Sequence, residues 1–214
     1  DSGNVDSDGR FSLTLDRDGS EGGLAIAQDV RLLLIRTLHR DPLAVPARLR
    51  LEGAAASGPL ASGNADAALA FVATSMMRNV EQYLKWTAVA LERPNAIAPA
   101  PPHLAESAQA DPDTLYFIGG FDLADGEWLE LSMPAPTARY WSIHAYNIWF
   151  EYLGEAGVDD RTVSIDADDK IRIAVGPSLP DDMLNRLDTA GRRRGALICR
   201  IVGQGQCPIG KVCQ

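Results

Sequence analysis

Histidine and cysteine are both scarce in this 214-residue chain, three of each, and their placement removes whole classes of chemistry. His39, His103 and His144 stand far apart, without the short ligand spacing of a readable zinc site. Cys199 lies in the apolar run Leu197-Ile198-Cys199, as a buried free thiol would. Cys207 and Cys213 flank Pro208-Ile209-Gly210-Lys211-Val212, where a small disulfide loop and two free thiols are equally good readings. A disulfide framework is excluded. No apolar stretch reaches the ~18 residues of a membrane span. Asp1-Ser2-Gly3-Asn4 is no signal peptide, a trait that a mature secreted protein shares with a cytoplasmic one, so either compartment fits.

Basic residues are also outnumbered. Twenty Lys and Arg against 29 Asp and Glu give a net charge of -9 and a pI near 4.8, which opposes attraction to nucleic-acid phosphates or anionic lipids. Nucleic acid is not an expected partner. The run Arg192-Arg193-Arg194 is short, lies between Gly191 and Gly195, and reads as a solvated turn. Gly119-Gly120 lacks the surroundings of a phosphate loop. Asn4, Asp6, Asp8 and Gly9 open like a calcium loop, but Leu15 occupies the position of its closing glutamate. No organic cofactor or metal is expected.

What remains is a chain that is 46% hydrophobic and long enough for one large domain or two small, closely packed ones. Residues 11–15 alternate as a strand and then meet a turn; residues 30–36 fit a strand better than a helix; residues 47–52 alternate cleanly as a half-exposed strand. Residues 53–63 are a small-residue linker. From Ala65 to about Leu91, apolar residues recur at Leu69, Val72, Met76, Val80 and Leu84 with helical spacing, and Met76 and Met77 read as core filler. Pro94 ends this helix, and a proline-rich connector spans 99–112.

Beyond residue 113 the pattern is nearly all β. Strands are expected at 115–118, 128–133, 140–149, 162–165, 171–175 and 196–202, with a tight hairpin turn at Ala167-Asp168-Asp169. Many short strands with such punctuation suggest a sandwich or jelly roll. The expected class is α+β, mainly β. Its parts are a β segment plus long helix over 1–95 and a jelly-roll-like sandwich over 113–206, as two domains or one continuous unit.

Three segments together carry a resemblance: Tyr116-Phe117-Ile118-Gly119-Gly120-Phe121-Asp122-Leu123, then residues 139–149, and finally Leu187-Asp188-Thr189-Ala190-Gly191 leading to Gly195-Ala196-Leu197 and Arg200. Over residues 113 to 203 the chain resembles the domain of unknown function 1214 family. The resemblance implies a jelly-roll-like sandwich for the C-terminal half and leaves activity open. Relatives often have histidine after the Asp-Thr-Ala-Gly motif, where this chain has Arg192, and Asn-Trp where it has Asn185-Arg186. Any chemistry resting on that histidine does not transfer.

The candidate site comes from strand alternation within 140–149. Trp141, Ile143, Ala145, Asn147 and Trp149 fall on one mostly apolar face suited to a core; Tyr140, Ser142, His144 and Tyr146 fall on the other. His144 is either a histidine hydrogen-bonded within the sheet or a general acid/base, with Tyr140 and Tyr146 orienting a substrate and Ser142 adding a hydroxyl. Arg200 interrupts an apolar strand. It either pairs with Asp188 or holds an anionic group on a ligand, with both residues then counted as binding residues. Aromatic residues also cluster here, at Tyr140, Trp141, Tyr146, Trp149, Phe150 and Tyr152, and exposed rings suit sugars or other flat ligands. The expected function is recognition of a small molecule or carbohydrate, extending to cofactor-independent acid/base conversion. The competing class is a noncatalytic structural or assembly module, and a homo-oligomer fits either.

Overall fold

The computed structural model describes residues 6–16, 23–27, 35, 48, 50, 65–107, 110–111 and 113–214, and for 154–156 the backbone alone. The chain divides into two units, Asp1–Pro59 and Leu60–Gln214. In the first, strand β1 (Leu15–Asp16) pairs in parallel with β2 (Leu24–Ala25). The strand expected over 11–15 contributes only its last residue, and Phe11 and Leu13 are exposed. Except for single positions, the strands expected at 30–36 and 47–52 and the linker at 53–63 lie outside the described residues.

The second unit is mainly β and carries one long helix, α1 (Ala65–Leu91). After α1 come β3 (Ala96–Pro99), the short helix α2 (Pro102–Ser107), β4 (Thr114–Asp122), β5 (Trp128–Pro134), β6 (Thr137–Tyr146) and β7 (Tyr152–Asp159). The chain ends with β8 (Lys170–Gly176), β9 (Asn185–Asp188), β10 (Arg194–Gln204) and β11 (Ile209–Cys213). Proline-rich residues 99–112 are therefore not a bare connector. Pro102 opens α2 at the first helical position, where its missing N–H costs nothing and its fixed φ is already helical.

Two sheets form. The larger has the order β3-β4-β10-β6-β7 and is antiparallel throughout; the smaller has the order β11-β5-β8-β9, with β8 and β9 parallel. Alternation places Phe121, Ile143, Leu197 and Ile201 of the larger sheet in one apolar cluster with Leu129, Leu131, Ile171 and Ile173 of the smaller. All eight are almost fully buried, and each contributes roughly 1.5–3 kcal/mol by leaving water. This shared core fixes the inner face of the larger sheet, so its other face is free to build something else.

That other face carries a second cluster, in which Ile118, Ala196 and Ile198 meet Ala90 of α1 and Leu104 of α2. The closeness of this packing explains Gly119-Gly120. A Cβ at Gly119 would lie 2.1 Å from the Ala96 carbonyl oxygen of β3, and one at Gly120 would lie 2.6 Å from that of Ala90. The pair is a packing device.

Three expectations change. The apolar stripe of α1 does not enter the core: Leu69, Val72, Met76, Met77, Val80 and Leu84 are exposed, and only Thr87 and Ala90 are buried. The reason is length. A helix of this size runs about 40 Å at 1.5 Å per residue, whereas the strands it meets, β4 and β10, are neighbours in one sheet and so stand only ~4.8 Å apart. Strand 140–149 ends at Tyr146, so Trp149 is exposed while Trp141 is in the core. Residues 162–165 form no strand; the turn after them exists, with the Asp169 amide donating to the Asp166 carbonyl at 3.0 Å and Asp169 at φ 59°.

Cys207 and Cys213 are free thiols, their sulfurs directed to the Ile97 and Lys211 carbonyls respectively.

Candidate functional site

Antiparallel pairing places directly opposed residues on the same face of a sheet. Arg200 of β10 opposes Tyr116 of β4 on one side and Ser142 of β6 on the other; Ile198 opposes Ile118 and His144; Ala196 opposes Tyr146. The face expected from sequence alternation, Tyr140, Ser142, His144 and Tyr146, is thus the outer face of the larger sheet, and Arg200 joins it. Asp188 does not, because it lies in β9 of the smaller sheet, exposed, with a carboxylate oxygen accepting the Ala190 amide at 2.8 Å. The ion pair expected between Asp188 and Arg200 is not formed.

Arg200 is half-buried and makes no ion pair among the described residues. Its guanidinium stands 6.0 Å from the centroid of the Tyr116 ring, within cation–π range. Nη1 and Nη2 donate to the Tyr146 hydroxyl at 3.4 and 3.5 Å, longer than a usual N–H···O contact. The head group is held in place but not saturated.

Beside it opens a cavity of about 80 Å³ whose wall includes Trp86 of α1, Leu104 of α2, Ile118, Ile198 and Phe150, with Arg200 the single charged group on it among the described residues. Helix α2 is tied to α1 at this point. Gln82 and Trp86 donate to the Ser107 carbonyl and hydroxyl at 3.2 and 3.3 Å.

Phe150 reaches the cavity through a turn built by Asn147. The buried Asn147 side chain accepts the amides of Trp149 and Glu151 at 2.9 Å each and donates to the Glu151 carboxylate at 2.6 Å. Phe150 is held at φ 64°, a conformation rare for an aromatic residue and one that surrounding structure must impose. In return its ring stacks on Tyr146 at 4.6 Å and meets Trp86 edge-on at 5.2 Å.

His144 occupies the next position along β6. Its ring lies against the backbone of β7 because residue 157 is glycine: a Cβ there would fall 2.3 Å from Nδ1. Tyr152 meets it edge-on at 5.2 Å. Burial chiefly, and the Arg200 charge in addition, push its pKa down to about 4, with Asp159 opposing. Burial also opposes the charge on Asp159, but donors from Arg161 and Thr162 outweigh it and keep that carboxyl below its ordinary pKa. At neutral pH His144 is uncharged. Among the described residues, its Nδ1 and the Ser142 Oγ are buried without a hydrogen-bond partner, and Ser142 is fully buried. Tyr140, half-buried, pairs with Val202 farther along the same face. Among the described residues no three His, Cys, Asp or Glu side chains are grouped to hold a metal ion.

With the geometry in hand, the comparisons bear on ancestry. The family model described as "Protein of unknown function (DUF1254)" matches residues 94–207, more than half of the chain. The chain belongs to the DUF1254 family. Every residue on the wall of the cavity except Trp86 falls within the DUF1254 segment. The family shown is DUF1254; the 1214 family that the motifs resemble is not confirmed. One of its motifs, Gly119-Gly120, reports the close approach of β3 and α1, a demand of packing that can recur outside any one family.

Among solved structures, the chain is similar to a putative uncharacterized protein from Burkholderia cenocepacia, at 29% identity and TM-score 0.57, over 62% of this chain and 38% of that one. It also matches the VPA0106 protein from Vibrio parahaemolyticus at 19% identity and TM-score 0.43, over 52% of this chain and 34% of that one. The DUF1254 chain thus spans little more than a third of the length of either. No curated protein matches it. No helix among the described residues is long and apolar enough to cross a membrane.

Sequence reasoning did not assign Trp86, Leu104 or Tyr116 to the site. Trp86 carried a signal, since Trp86, Val89 and Ala90 repeat at helical spacing just where α1 meets the sheet. Leu104 carried none, because the proline-rich composition around it hid α2.

Proposed function

We propose that this protein recognises a small molecule on the outer face of its larger sheet, in the cavity under α1 and α2. One observation carries the reading. Arg200 is a half-buried cation with no carboxylate partner among the described residues, on the wall of an otherwise apolar cavity. Buried charges are ordinarily compensated, and a guanidinium whose donors are only loosely engaged is suited to an anionic group arriving with a ligand. Phe150 adds support, because an imposed φ that aims a ring into a cavity fits a binding role. Tyr146 and Tyr116 flank the guanidinium, and Ser142, His144 and Tyr140 complete the face. Asp188 has no part in it.

Acid/base conversion by His144 is the weaker extension, since a base with a pKa near 4 lies well below the range that favours proton transfer at neutral pH. A carbohydrate would draw on the stacked rings of Tyr146 and Phe150. The scaffold belongs with this reading as a jelly-roll-like sandwich, two sheets around one core.

A second reading, an assembly or homo-oligomeric module, is favoured by the exposed Leu69, Phe71, Met76 and Met77 along α1. A fragment screen by saturation-transfer NMR decides between them. Binders that vanish in a folded Arg200→Met variant support the cavity. A screen without binders, together with concentration-dependent association by sedimentation, supports assembly instead.

A further inference from the structure

Resting on that reading of the cavity, we infer that its ligand class is a monocarboxylic acid whose body is a single ring or a short branched chain. Charge sets the first limit. Arg200 is the single charged residue on the cavity wall among the described residues, so it balances one negative charge and leaves the second charge of a phosphate monoester uncompensated in an apolar site. His144 adds no positive charge at neutral pH. The chain as a whole, at -9, repels a dianion further.

Geometry sets the second limit. Tyr116 fixes the guanidinium from one side, and a planar fork matches the two oxygens of a carboxylate. The Tyr146 hydroxyl, bound to both Nη atoms only at 3.4 and 3.5 Å, stands where it can donate to the same group as a third contact.

Volume sets the third. One water molecule needs roughly 10–15 Å³ of such space, so the cavity of about 80 Å³ admits several groups of that size in a row or ring. A sugar would bring hydroxyls to Trp86, Leu104, Ile118 and Ile198, which offer them almost no partners, and unmade hydrogen bonds are costly. Away from Arg200, an aromatic ring or branched chain meets mostly apolar contacts, among them Phe150 and Trp86, which pack edge to face on each other.

Isothermal titration of the full chain with benzoate, phenylacetate and 3-methylbutyrate, each beside its amide, tests the class. Acetate, phenyl phosphate and methyl glucoside complete the set. The acids should bind at least about tenfold more tightly than their amides, the scale of one charge-assisted contact, and acetate should bind more weakly for want of a body. Arg200→Met should erase the preference for acid while leaving the amide unchanged. Tyr146→Phe, which keeps the ring stack, should reduce acid binding without affecting folding, and keeps the test valid should Arg200→Met unfold. Equal binding of acid and amide, or tighter binding of phenyl phosphate or the glucoside, overturns the class while the cavity reading stands. If none of these probes binds but fragments from the screen are lost with Arg200→Met, the class again fails alone. If nothing binds at all, both fail.

Discussion

Burial of His144 makes a testable claim about stability. In an unfolded chain its pKa returns to 6.5, whereas in the fold it is about 4, chiefly because the imidazole is buried against β7 and secondarily because Arg200 is near. The folded state therefore binds fewer protons between these values, and lowering the pH favours unfolding. The stability that rests on an uncharged His144 is complete above about pH 6.5 and is lost progressively as pH falls to about 4, below which both states are protonated and the loss stops growing. At about 1.4 kcal/mol per pH unit, this fall amounts to about 3 kcal/mol, a large share of the 5–15 kcal/mol roughly typical of a whole domain. Urea denaturation at intervals from pH 7.5 to 4 checks it, with wild type and His144→Gln measured side by side. Carboxylates such as Asp159 titrate in both proteins, so their effects largely cancel in the difference. Wild type should lose about 3 kcal/mol relative to the variant across that window. Parallel curves, or an imidazole that titrates near 6.5 by NMR, would refute the burial argument and with it the claim that His144 adds no positive charge beside Arg200 at neutral pH.

Other outcomes follow from the same contacts. Asn147→Ala removes the acceptor for the Trp149 and Glu151 amides and the donor to the Glu151 carboxylate; a loss of about 1–3 kcal/mol is expected by urea unfolding, with weaker ligand binding as Phe150 loses its φ. Gly119→Ala places a Cβ 2.1 Å from the Ala96 carbonyl oxygen, and the forced shift of β3 should cost at least about 1–3 kcal/mol, read as a lower melting temperature. Burial pushes the Cys199 thiol up to about 12, so in the native protein it should resist iodoacetamide at pH 8 while denaturant exposes it; mass spectrometry after digestion reports which cysteine is labelled.

The outer face of β6 was legible because strand alternation is a local rule: Tyr140, Ser142, His144 and Tyr146 needed no knowledge of partners to be placed together. Arg200 stood out as a charge in an apolar strand. Its relation to Asp188 was not legible, since two residues twelve apart can end in different sheets, and pairing register is a property of the whole fold. The stripe on α1 misled for a related reason. Helical periodicity shows which face is apolar but not how far the neighbouring sheet extends beneath it. Residues 147–149 read as strand because Trp149 continues the alternation, whereas the Asn147 side chain takes the amides of Trp149 and Glu151 and turns the chain. β3, β7, β9 and β11 escaped notice because each is short or broken by proline, glycine or charge, and β11 is held by β5, a neighbour distant in sequence.

The central claim is that the cavity beside Arg200 is a ligand site, and the four tryptophans offer the most direct test. Only Trp86 lies on its wall; Trp141 is in the core, and Trp128 is in the smaller sheet. In ¹H–¹⁵N spectra of the full chain titrated with phenylacetate, the Trp86 indole resonance should move saturably while those of Trp128 and Trp141 stay in place, and the movement should be lost in Arg200→Met. A Trp86 resonance that does not respond to any acid or fragment, or responds equally when Arg200 is replaced, would contradict the account.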